Sequence, residues 1–73
     1  MFENKKILVT GGSGMIGRQL VSLLKNENAE IHVADLNKPV NMPDDIIFHN
    51  VDLKNFDSCK NICKEMDYVF NLV

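Results

Sequence analysis

The chain has 73 residues, 45% of them hydrophobic and 25% charged, with a formal net charge of −2, which is the make-up of a folded globular chain rather than a disordered or collagen-like one. Ten acidic residues against eight scattered basic ones leave no positive surplus, so a nucleic-acid partner held through its phosphates is not expected. Two cysteines are too few for a secreted disulfide framework, and no apolar run approaches the roughly 20 residues that cross a bilayer or the shorter core of a signal peptide; a reducing, cytoplasmic setting away from the membrane is expected.

In chain order, Lys5 to Thr10 is a short apolar run of the kind that forms a strand buried on both faces. All four glycines follow within seven residues, Gly11-Gly12-Ser13-Gly14-Met15-Ile16-Gly17. From Gly14 to about Glu27 the spacing of Ile16, Leu20, Leu23 and Leu24 predicts an amphipathic helix with those residues inward. Glu30 to Asp35 reads as a second strand, and the stretch from Asn37 to Asp45 reads as a loop because it holds both prolines. Ile46 to Val51 predicts a third strand and Lys54 to Met66 a second helix, with Phe56, Cys59, Ile62, Cys63 and Met66 on its inner face. Tyr68 to Val73 predicts a fourth, buried strand.

The order β-α-β-β-α-β predicts an α/β fold, the N-terminal portion of a Rossmann-type doubly wound parallel sheet. The loop before Ile46 is shorter than most parallel crossovers, so an antiparallel pairing of strands two and three stands as the alternative. The 73 residues are expected to form the N-terminal part of such a domain, with the rest of the domain and any substrate domain absent. An apolar, unpaired edge at strand four would then favour self-association or unfolding of the isolated piece.

A strand that enters a glycine turn and opens directly onto a helix makes a seat for a pyrophosphate, because the first helical N–H groups lack partners and carry partial positive charge. Two frames fit the cluster, Gly12-x-Gly14-x-x-Gly17 and Gly11-x-x-Gly14-x-x-Gly17. A P-loop is excluded, since no Lys-Ser or Lys-Thr follows the glycines. Asp35 ends the second strand at the distance expected of a carboxylate that accepts from the adenosine ribose hydroxyls. Its charge would repel a 2′-phosphate, which predicts NAD over NADP, with Lys38 the residue able to overturn that preference.

Thr10-Gly11-Gly12-Ser13-Gly14-Met15-Ile16-Gly17 resembles the TGGxGFIG opening of the extended short-chain dehydrogenases/reductases, a family of sugar-nucleotide epimerases, dehydratases and reductases. Asp35, the Asp52-Leu53 pair and Asp67-Tyr68-Val69-Phe70-Asn71-Leu72-Val73 are similar to further motifs of that family, with Met15, Asn71 and Val73 standing where Phe, His and Ala are common. The resemblance implies that Gly11, Gly14, Met15, Ile16 and Gly17 hold the pyrophosphate, Met15 and Ile16 through their backbone. It also implies that Asp52 and Leu53 meet the adenine and that Leu72 and Val73 line the cofactor cleft. An Asp-Leu-Lys start is equally an ordinary helix N-cap, and the two roles of Asp52 are compatible.

The family's catalytic pair is Tyr-x-x-x-Lys. Tyr68 is the only tyrosine and Leu72 stands four residues on, so Tyr68 is read as a packing residue and no catalytic residue is assigned. No metal site is expected either: Cys59 and Cys63 fall on the apolar stripe of their helix, and His32 and His49 have no acidic partner nearby in sequence and read as structural. The expected function is that of the NAD-binding part of a sugar-nucleotide epimerase, dehydratase or reductase that works by hydride transfer, acts on a nucleotide sugar and is a homodimer as the full-length chain. The alternative is a non-catalytic member that senses dinucleotides or binds proteins.

Overall fold

The structure, a computed structural model, describes residues 2–11, 14–38 and 42–72. Its elements are β1 (Lys6–Thr10), α1 (Met15–Lys25), β2 (Glu30–Asp35), β3 (Ile47–Asn50), α2 (Phe56–Cys63) and β4 (Tyr68–Asn71). The four strands form one sheet in the order β3-β2-β1-β4, and every pairing is parallel. This matches the expected α/β architecture and removes the antiparallel alternative: β2 and β3 run together, His32 against Ile47 and Asp35 against Asn50. The connection between them closes with a turn in which Ile46 N–H donates to the Pro43 carbonyl (3.2 Å), and Ile46 itself is buried.

β1 is central, and Ile7, Leu8, Val9 and Thr10 are all buried. On one face Ile7, Val9, Ile31 and Val33 pack with Val21 and Leu24 of α1, joined at the margin by Phe2, Leu20, Phe48 and Phe70. The opposite face carries Leu8, His32 and Ala34, also buried. The right-handed rule for parallel crossovers assigns α2 to the side of that second face.

The inward stripe of α1 is rotated from the expected one: Leu24 is buried and Leu20 half-buried as expected, but Ile16 and Leu23 are not on it. Gly17, Val21 and Leu24 are buried, whereas Ile16 and Leu23 are 72% and 66% exposed. Both stripes have the same i, i+4, i+7 spacing, and hydrophobic pattern alone favours the one with the isoleucine. The buried stripe instead includes Gly17, a residue that adds nothing to an apolar count. The fourth strand also departs from expectation: Tyr68, Val69 and Asn71 are exposed and only Phe70 is half-buried, because β4 has a single strand neighbour among the described residues. The second helix is shorter than the expected Lys54 to Met66, and no residue on it is fully buried; Cys59, Ile62 and Cys63 are half-buried as expected of an inner face, Met66 is half-buried beyond the helix end, and Phe56 is 71% exposed at the helix start.

Candidate functional site at the carboxyl edge of the sheet

All four strands point their C-terminal ends to one edge, the position where open parallel sheets bind ligands. A cavity of about 390 Å³ opens there, lined by Gly11, Gly14, Asp35, Leu36, Asp52, Leu53, Lys54 and Leu72. Residues far apart in sequence thus meet at one edge because each follows a strand: Gly11 after β1, Asp35 and Leu36 at the end of β2, Asp52 to Lys54 beyond β3, and Leu72 beyond β4.

The turn out of β1 is held by Gly11 at a positive φ of 73°, with its N–H on the Ala34 carbonyl (3.0 Å). Gly14 is the N-cap of α1 and makes no side-chain cap, and no acidic residue stands in the first turn. The first N–H groups of α1 are therefore neither capped nor neutralised from within the helix, which is the electrostatic setting an anion needs. A Cβ built on Gly14 would meet only the Gly11 carbonyl oxygen, at an ordinary 3.7 Å. Neither packing nor backbone conformation, φ −77° and ψ 173°, demands a glycine at that position. What its absent side chain leaves is open space beside the helix N-terminus, as a close-lying pyrophosphate requires.

Asp35 is half-buried, and its Oδ1 accepts from Leu36 N–H at 2.7 Å, which fixes the carboxylate against the cavity wall and leaves its second oxygen for another donor. Asp52 Oδ1 accepts from Lys54 N–H (2.9 Å), and its carbonyl accepts from Asn55 N–H (2.9 Å). The N-cap of α2 is Asn55, whose Oδ1 accepts from Ser58 N–H (3.1 Å), so Asp52 shapes the preceding turn and is not the cap that the Asp-Leu-Lys pattern suggests. Behind the edge, the Thr10 hydroxyl donates to Asn71 Oδ1 (2.7 Å) and ties the end of β1 to that of β4.

Of the residues singled out in the sequence, Gly11, Gly14, Asp35, Asp52, Leu53 and Leu72 come together on the cavity wall. Met15 and Ile16 do not line it; they form the first turn of α1 with side chains 79% and 72% exposed, so only their backbone is at hand. Gly17 faces the sheet instead. Gly12, Ser13 and Val73 lie outside the described residues. Leu36 and Lys54 are wall residues that sequence reasoning missed; the available signal was adjacency, since each directly follows a residue or pair already singled out. Lys38, named as a threat to the preference for NAD, is not on the wall. Cys59 Sγ donates to the Leu53 carbonyl (3.4 Å), which places one thiol directly behind the wall.

A parallel sheet in the order 3-2-1-4 with a glycine turn at β1 and a carboxylate at the end of β2 defines the nucleotide-binding class of α/β proteins. The profile of the NAD dependent epimerase/dehydratase family matches residues 7–73, and the chain belongs to that family. It is similar to GDP-mannose 3,5-epimerase 1 of Oryza sativa subsp. indica, 37% identical over 96% of this chain and 19% of that protein. Among solved structures, it resembles epimerase Mth375 of Methanothermobacter thermautotrophicus, with a TM-score of 0.82 and 31% identity over 99% of this chain and 23% of the other. It also resembles the Bordetella bronchiseptica enzyme WbmF in complex with NAD+ and UDP, with a TM-score of 0.81 and 28% identity over 97% of this chain and 23% of the other. The chain therefore spans about a fifth of the length of these relatives.

Proposed function

We propose that these residues form the adenosine and pyrophosphate seat of an NAD-dependent sugar-nucleotide epimerase or dehydratase, the N-terminal part of a longer Rossmann domain. The observation that carries the reading is the meeting of Gly11, Gly14, Asp35 and Asp52 around one cavity at the uncapped start of α1. The backbone N–H groups of Met15 and Ile16 receive the pyrophosphate, Asp35 accepts from the ribose hydroxyls, and Asp52 and Leu53 border the adenine. Leu72 continues the wall toward the nicotinamide. When bound, the nicotinamide supplies the hydride acceptor for oxidation of a sugar carbon; the residues here bind and orient it, and none of them moves the proton. WbmF, which resembles this chain, binds NAD+ and UDP, and the rice relative acts on GDP-mannose, which supports a nucleoside-diphosphate sugar as substrate.

The test is incubation of the intact protein, loaded with NAD+, with GDP- and UDP-sugars, followed by chromatographic analysis of the sugar products and absorbance at the NADH band. A changed sugar supports the enzyme reading. Saturable NAD+ binding with every sugar recovered unchanged would favour the non-catalytic, dinucleotide-sensing alternative.

A further inference from the structure

On the sheet face opposite α1, three titratable side chains form a chain across β2 and β3. His32 Nε2 lies 2.7 Å from Glu30 Oε2, and His32 Nδ1 lies 2.9 Å from His49 Nε2. The two rings are stacked, 16° from parallel with centroids 5.1 Å apart, and His32 is buried. Glu30 stands two residues before His32 and on the same face of the strand, so the view of His32 as lacking an acidic neighbour is corrected.

The hydrogen-bond arithmetic of this chain is restrictive. With both rings neutral, His32 Nε2–H donates to Glu30 and His49 Nε2–H donates to His32 Nδ1. One added proton still leaves an acceptor between the rings. A second places two N–H donors and two positive charges face to face at the 2.9 Å contact.

β3 has only β2 as a strand neighbour among the described residues, and the segment that leaves it forms the adenosine side of the cavity. The same two strands are joined just past the rings where Val51 N–H donates to the Asp35 carbonyl (3.1 Å). We propose that the His32–His49 pair is a proton-sensitive latch: a second proton on it breaks the ring-to-ring hydrogen bond, loosens β3 from β2 beside Asp35 and Asp52, and weakens dinucleotide binding.

The surrounding charges are few. The hydrogen bond with His32 holds the Glu30 carboxyl below its usual range, helped by the charge of Lys6, which lies in register with it on β1. β3 offers no titratable group besides His49. On α2, Cys59 and Cys63 are half-buried, while Asp57 and Lys60 are exposed. Burial, and after it a charge on His32, hold the His49 imidazole below its ordinary value.

The proposal rests on the NAD reading, and the experiment separates the two. NAD+ is titrated into the intact protein between pH 7.5 and 5.5. Affinity is expected to hold at the upper end and to fall in the acid range by up to about tenfold per pH unit, the limit for one linked proton. His49→Gln keeps a donor toward His32 and takes up no proton; it binds NAD+ like the parent at pH 7.5 and loses the acid-side fall. Without any substitution, NMR titration of the histidine rings is expected to show the His49 transition moved to lower pH when NAD+ saturates the protein. Affinity that does not fall across the pH range in which NMR shows the His49 ring taking up its proton, an unaltered fall in His49→Gln, or a His49 transition indifferent to NAD+ overturns the latch alone. No binding at pH 7.5 overturns the NAD reading and the latch with it.

Discussion

At Gly14 the fold itself asks for no glycine, since its backbone is extended and a Cβ would touch only the Gly11 oxygen at 3.7 Å. Gly14→Ala is accordingly expected to change stability by no more than about 1 kcal/mol, the gain through the unfolded chain being set against the poorer fit of alanine at an N-cap, while weakening NAD+ binding at least tenfold. Paired melting and calorimetric titration check this, and a variant that binds normally removes the pyrophosphate from that space. For Asp35, a hydrogen bond to a charged acceptor contributes about 1.5–3 kcal/mol, so Asp35→Asn is expected to lose roughly ten- to hundredfold in NAD+ affinity and to narrow the gap to NADP+. The asparagine oxygen still accepts from Leu36 N–H, which keeps the local turn. Both residues were legible in the sequence as cavity-wall positions, because a turn directly after β1 and a residue ending β2 both come to the carboxyl edge of a parallel sheet. Leu36 and Lys54 were not, because a wall residue outside the motifs is decided by how the chain turns after the strand. The His32–Glu30 contact follows from the period of the strand, since i and i+2 share a face and put an acidic residue two positions before a strand histidine within its reach.

The helix α1 shows what periodicity settles and what it leaves open. Element type comes straight from the 3.6-residue pattern, but that pattern sets Ile16, Leu20, Leu23 and Leu24 inward, whereas the sheet covers Gly17, Val21 and Leu24 and leaves Ile16 and Leu23 exposed. Leu24 is 3% exposed, so Leu24→Ala is expected to cost about 2–5 kcal/mol. Leu23→Ala, on the exposed stripe, is expected to stay within about 0.5 kcal/mol of the parent. Urea denaturation of the two variants checks which stripe faces the sheet, and equal losses contradict the assigned rotation. The connection from β2 to β3 was ambiguous in sequence because its length lies below that of a helical crossover. The parallel pairing resolves it, and the benefit is functional: only a parallel β3 delivers Asp52 and Leu53 to the same edge as Asp35.

For the molecule as a whole, the charge pattern sets a direction for stability against pH. His49 is held below its ordinary value of 6.5 in the fold, so the unfolded chain takes up the proton more readily; stability is present above about pH 6.5 and is lost as pH falls below it. Glu30, lowered chiefly by its hydrogen bond to His32, adds a further loss as pH falls below its ordinary 4.5. Denaturation midpoints at pH 7.5, 5.5 and 4 are expected to fall stepwise, whereas a midpoint constant from 7.5 to 5.5 contradicts the assignment for His49. The strand-turn-helix order was readable because glycines, prolines and apolar runs punctuate it sharply; the reaction was not, because no Tyr-x-x-x-Lys spacing occurs in these residues. The claim on which the rest depends is that the cavity at the carboxyl edge holds NAD. Calorimetric titration of the intact protein with NAD+ and with NADP+ tests it most directly: the account predicts saturable, one-to-one binding of NAD+ that is tighter than that of NADP+, and no binding of NAD+, or tighter binding of NADP+, would contradict it.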